Sequence, residues 1–94
     1  MREKLSDAAV REALAGLPGW TLEGGKLHRE YRFPDFVTAF GFMTQVALIA
    51  EAMNHHPDWQ NVYGRLVVDL VTHDARGITE RDLTLARRME ELAR

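Results

Sequence analysis

The chain has 94 residues, of which 46% are apolar and 28% charged, with a formal net charge of −2 and no cysteine. Its length fits one domain, 1–94, with little room for core, and its composition is that of an ordinary globular protein. The slightly acidic balance, with scattered rather than clustered basic residues, argues against a nucleic-acid surface. The missing cysteine excludes a disulfide scaffold, a thiolate zinc site and a thiol nucleophile. No stretch approaches 18 uncharged apolar residues, and the start, Met-Arg-Glu-Lys, lacks an apolar run. Neither a membrane span nor a secretory signal is expected, so a cytoplasmic location is the expectation.

Ser6 is placed to cap a first short helix, in which Leu5, Val10, Ala13, Leu14 and Leu17 recur at helical spacing, and Gly16 and Pro18 end it. From Trp20 the period changes to two. Trp20 and Leu22 alternate with polar residues, Gly24-Gly25 suits a hairpin turn that needs positive φ at both positions, and Leu27, Tyr31 and Phe33 alternate on the return strand. Asp35 is a fair N-cap for a helix over 36–53. That helix is apolar on more than one stripe, which predicts burial on most sides and, in so small a protein, cover from a second subunit. Pro57 is expected to end it. Trp59 to Tyr63 and Leu66 to Thr72 read as a second hairpin, with Leu66, Val68 and Leu70 on one face and Val67, Asp69 and Val71 on the other. After Gly77, Thr79 and Asp82 resemble a capping box that opens a final helix with a stripe of Leu85, Ala86, Met89, Leu92 and Ala93. The order α-β-β-α-β-β-α predicts an α+β fold: a four-stranded antiparallel sheet with helices packed on one face.

Three of the four histidines lie between positions 55 and 73. Glu51 and His55, four apart, share a helix face. His56 follows at the helix end, where carbonyls are unpaired and the dipole is negative. One hairpin round trip from that corner can return His73 to the pair. Plainer readings exist for each residue: Glu51 as a polar spot on an apolar helix, Asp82 as the partner of Thr79, Trp59 and Tyr63 as cross-strand packing, and His28 as an exposed strand residue. Three histidines and a carboxylate could also hold a divalent ion. Against that, adjacent side chains of an extended segment point apart, and no His-x-x-x-His or His-x-His pair occurs, so no metal is expected. Ser6 lies too far away in sequence for a nucleophilic triad.

The run Glu51, His55-His56-Pro57, Tyr63, His73 and Asp82, with Phe40-Gly41-Phe42-Met43-Thr44, Val46-Ala47-Leu48, Trp59, Asn61-Val62-Tyr63, Thr72-His73 and Glu80-Arg81-Asp82, resembles the pterin-4a-carbinolamine dehydratases from about Trp20 to Leu92. The resemblance implies a four-stranded antiparallel sheet with helices on one side, and assembly as a homodimer or homotetramer, which would cover helix 36–53. It also implies a reaction, the loss of water from 4a-hydroxytetrahydropterin to give quinonoid dihydropterin in tetrahydropterin recycling. The pterin is then the substrate and no cofactor is needed, with a functional link to an aromatic amino-acid hydroxylase. By carry-over, His55, His56 and His73 line the pocket. His55 and His73 are then expected to transfer protons, His56 to bind or orient the pterin, and Glu51 to orient His55 or stabilise its charged ring. Arg81 and Asp82 are expected to position His73 or the substrate, Tyr63 to belong to the substrate site, and Pro57 to fix the corner. Two other roles are compatible with the resemblance: a non-catalytic module that stabilises transcription-factor dimers, and a part in molybdopterin metabolism.

Overall fold

Strict alternation along two central strands sets the architecture. In the computed structural model, which describes residues 3–93, the elements run α1 (Asp7–Leu14), β1 (Thr21–Glu23), β2 (Lys26–Arg32), α2 (Phe36–Met53), β3 (Asp58–Val62), β4 (Arg65–Leu70), a 3₁₀ turn (His73–Ala75) and α3 (Glu80–Leu92). Met1, Arg2 and Arg94, the ends of the domain read from the sequence, lie outside the described residues. The strands form one antiparallel sheet in the order β1-β2-β4-β3. The fold is α+β, in the element order expected.

Leu66, Val68 and Leu70 of β4 are buried, and across the β2–β4 ladder Leu27 and Tyr31 face the same way. They form one core with Phe42 and Val46 of α2 and Leu83, Leu85, Ala86 and Met89 of α3. The opposite face carries polar pairs. His28, expected to be simply exposed, is half-buried and joins Asp69 directly across the ladder at 2.8 Å, and Glu30 accepts from Arg65 at 3.1 Å.

Both hairpin turns follow from local chemistry. Gly24 and Gly25 take φ of 57° and 77°, the left-handed values such a turn requires. The second turn, Tyr63-Gly64, instead holds Tyr63 at φ 54°. Gly64 is needed there for space: a Cβ would sit 2.3 Å from the Phe33 carbonyl oxygen, and the Phe33 N–H donates to the Gly64 carbonyl at 2.7 Å.

Helix α2 departs from expectation in two ways. Asp35 caps its start by accepting from the Thr38 N–H. Its end is set by Asn54, not by Pro57. Asn54 adopts the left-handed conformation (φ 52°, ψ 44°), and the His55 N–H reaches back to the Ala50 carbonyl at 3.0 Å, the reversal that commonly ends helices with a left-handed residue. Only Ala39, Phe42, Val46 and Ala50 are buried, one stripe spaced by three and four residues. Within the chain, therefore, the helix is not covered on most sides: Phe36, Val37, Phe40 and Leu48 stand exposed. Residues Phe36–Met53 also meet the bare length and composition of a membrane span, with 22% of that stretch buried. Thr38, Thr44 and Gln45 dilute the apolar character too little, and Glu51 is the only charge.

Glu90 on α3 ties the helix layer to the sheet. One of its oxygens accepts from Tyr31 Oη at 2.5 Å, Trp20 Nε1 at 2.9 Å and Arg29 Nε at 3.2 Å. Burial pushes this carboxyl up, but the three donors outweigh it and hold it below its ordinary 4.5. Burial and the same hydrogen bond raise the Tyr31 hydroxyl above its ordinary range. A depressed carboxyl contributes stability above its unfolded value and loses it as pH falls through the lower folded value. Glu90→Gln should therefore weaken the protein near neutral pH and flatten its loss of stability below 4.5. Urea midpoints between neutral pH and the acid range check this; parallel wild-type and variant curves would contradict it.

Candidate active site

The ending of α2 decides where its histidines go. Because Asn54 reverses the chain, His55 leaves the helix and turns inward, where it is 7% exposed. Its Nε2 lies 2.5 Å from Asp82 Oδ1. Asp82 has no exposed surface, and its other oxygen accepts from the Thr79 N–H at 2.9 Å and the Thr72 hydroxyl at 2.7 Å. The Thr79–Asp82 capping box is therefore real, and the same carboxylate also serves the histidine. A carboxylate can only accept, so neutral His55 carries its proton on Nε2 and leaves the Nδ1 lone pair free.

His56 points the other way, as adjacent residues of an extended segment do. Its Nε2 meets Glu51 Oε1 at 2.8 Å, with both side chains more than half exposed. Glu51 therefore partners His56 and not His55, since the left-handed Asn54 removes His55 from the helix face shared with Glu51. An ion pair this exposed holds the ring loosely.

His73 stands exposed in the 3₁₀ turn beyond β4 rather than on the strand itself. Bonds between Thr72 and Gly77, N–H to carbonyl at 2.9 and 3.3 Å, close that turn. Arg81 contacts neither His73 nor Asp82 in the manner expected. Its guanidinium donates to the Met53 carbonyl and, at 3.0 Å, to the Asn54 carbonyl, so it clamps the last carbonyls of α2 just before the two histidines. Asp82 likewise holds His55 and not His73.

His55, His56, His73 and Arg81, with Asn54, Val71, Thr72 and Asp74, line one open hollow of about 370 Å³. The three histidines, separated along the chain, line the same hollow. Pro57 sits half-buried in the link to β3, beside the corner and outside the hollow's lining. Tyr63 is not brought in. It is 68% exposed at the β3–β4 turn and lines a different hollow with Arg32, Phe33 and Val62. An extended strand advances about 3.3 Å per residue, so β3 carries Tyr63 away from the corner that it leaves. Thr72, missed as a site residue, continues the buried alternation of Leu66, Val68 and Leu70. A polar side chain at a core position was the available signal. Among the described residues no three of His, Asp or Glu gather as a metal-ligand set. A larger hollow of about 950 Å³, lined by Arg29, Arg32, Phe33, Gln45 and Leu92 among others, lies elsewhere and takes in none of the site residues read from the sequence.

The family model described as pterin 4 alpha carbinolamine dehydratase matches residues 3–92. The chain belongs to this family. A Solibacter usitatus protein named "Putative pterin-4-alpha-carbinolamine dehydratase" is 58% identical over 93 residues, which cover 99% of this chain and 98% of that protein. A Rhizobium rhizogenes protein of the same name is 55% identical, covering 97% and 92%. A crystal structure from Brucella melitensis, described as a transcriptional coactivator/pterin dehydratase, superposes with a TM-score of 0.94 at 45% identity and covers 98% of this chain and all of that one. The general activity that goes with the family is that of a dehydratase, a lyase acting on a pterin.

Removing the Asp82 carboxylate strands the Thr79 N–H, the Thr72 hydroxyl and His55 Nε2–H in a buried space. Each unsatisfied buried donor costs about 1–3 kcal/mol. Asp82→Ala should therefore lower unfolding stability by at least about 3 kcal/mol, read by urea denaturation; a loss below about 1 kcal/mol would show that the network is not buried as described.

Proposed function

We propose that the chain dehydrates a 4a-hydroxytetrahydropterin to the quinonoid dihydropterin, the step that returns a spent tetrahydropterin to its reductase after an aromatic amino-acid hydroxylase has used it. The observation that carries this is the convergence of three imidazoles on one hollow in a member of a pterin dehydratase family. The bond from C4a to its hydroxyl breaks, and the oxygen leaves as water with a proton from an acid. N5 gives its proton to a base, and its electron pair forms the double bond to C4a. Imidazole, with an unperturbed pKa of about 6.5, serves either role near neutral pH.

The roles divide by environment. His55 is held by Asp82 with Nδ1 free, and His73 lines the same hollow. This pair is assigned to proton transfer, with acid and base shared between them. His56, loosely paired with Glu51, binds or orients the pterin. Arg81 fixes the corner. The scheme needs no metal or redox cofactor, because neither the leaving hydroxyl nor N5 changes oxidation state in a way that requires an acceptor. The chain is read as one working domain in the cytoplasm.

The exposed apolar residues of α2 support assembly through that helix into a homodimer or homotetramer. The coactivator description of the Brucella protein supports a second reading, in which the same face takes a protein partner. The two uses are compatible.

His73→Ala should lower dehydration of freshly generated 4a-hydroxytetrahydropterin at least about tenfold without unfolding the protein. An unchanged rate would remove His73 from the mechanism, and a loss of wild-type activity on chelation that zinc restores would replace it with metal chemistry. The protein should sediment as a dimer or larger, and Leu48→Glu should shift it toward monomer; a monomeric wild type would refute assembly through α2.

A further inference from the structure

Thr72 plays no part in the chemistry above, yet it occupies the junction of the site. It is 2% exposed. Its hydroxyl lies 2.7 Å from Asp82 Oδ2 and 2.8 Å from the Thr79 hydroxyl. Counting donors fixes every direction. The Arg81 N–H donates to Thr79 Oγ1 at 3.2 Å, and a carboxylate only accepts. Thr72 must therefore give its single proton to Asp82, which leaves it to accept from the Thr79 hydroxyl. The chain of bonds runs from the Arg81 backbone through Thr79 and Thr72 to Asp82, which in turn takes the proton of His55 Nε2. No buried polar side-chain atom among the described residues lacks a partner.

Thr72 is also the residue before His73, and its backbone bonds to Gly77 close the turn that presents His73. Its side chain reaches His55 through one carboxylate, and its own peptide bond leads to His73. We propose that Thr72 is a positioning residue that fixes the separation of the two proton-transfer imidazoles, His55 through the Asp82 carboxylate that it helps to orient and His73 through the turn that it closes. Its catalytic meaning rests on the dehydratase reading; its effect on His55 does not.

Thr72→Val keeps the branched shape and removes the hydroxyl. Thr72→Ser keeps the hydroxyl and removes the methyl. In the full chain, Thr72→Val should lower kcat roughly tenfold with KM changed less than about twofold, since misplacing a reacting group costs rate before binding. Thr72→Ser should stay within about threefold of wild type in kcat. Nitrogen NMR of the imidazoles supplies a readout independent of turnover. The His55 Nε2–H signal should coincide in wild type and Thr72→Ser and be displaced in Thr72→Val, where Asp82 has lost one of its donors. If Thr72→Val does not fold, Thr72→Ala takes its place with the same expectation.

Wild-type kcat with unchanged His55 signals in Thr72→Val overturns the proposal. So does a Thr72→Ser variant as impaired as Thr72→Val, which would make shape and not the hydroxyl responsible. A wild-type His55 protonated on Nδ1 overturns it without any variant. Should wild type lack dehydratase activity altogether, the dehydratase reading fails while the ring signals still decide whether Thr72 orders His55.

Discussion

The Asp82 carboxylate has no contact with solvent, so its hydrogen bonds must all be made inside the protein. It takes them from three segments: the start of α3 through Thr79, the chain just after β4 through Thr72, and the chain just after α2 through His55. A buried carboxylate left unpaired is severely penalised, so these segments are held together wherever the chain is folded. The group that opens the last helix thereby also orients the buried histidine. Helix capping and site geometry are one arrangement here, which is why the site can exist in so small a protein without a metal-ligand set among the described residues.

The three histidines are held to different degrees. His55 is buried and fixed by a short bond. His56 and His73 stand in solvent, one restrained by an exposed glutamate and one by the turn beneath it. Arg81 braces the corner from the other side by binding the last carbonyls of α2.

Much of the fold was legible because it rests on local rules. Gly24-Gly25, the alternation of Leu66, Val68 and Leu70, and the Thr79–Asp82 box each act over a few residues, and each is found. The convergence of His55, His56 and His73 was legible for a topological reason, since a hairpin returns near its origin. What was not legible depends on single backbone conformations or on distance. Asn54 in a left-handed state ends α2 and transfers Glu51 from His55 to His56, and nothing in helical spacing announces it. Tyr63 lies at the wrong end of a strand whose length, not its composition, moves it away. Thr72 looked like an ordinary strand residue because its importance comes from Asp82, ten positions later. The apolar breadth of α2 was legible, and Phe36, Val37, Phe40 and Leu48 stand exposed, away from this chain's own core.

The account stands on three imidazoles meeting around one heterocycle. The most direct measurement is an NMR titration of the wild-type protein with a stable dihydropterin, following the ring signals of all four histidines. His55, His56 and His73 should move together with one saturation curve while His28, on the opposite sheet face, stays still. A pterin that perturbs the larger hollow near Arg29 and Gln45, or that moves only one of the three rings, would contradict it.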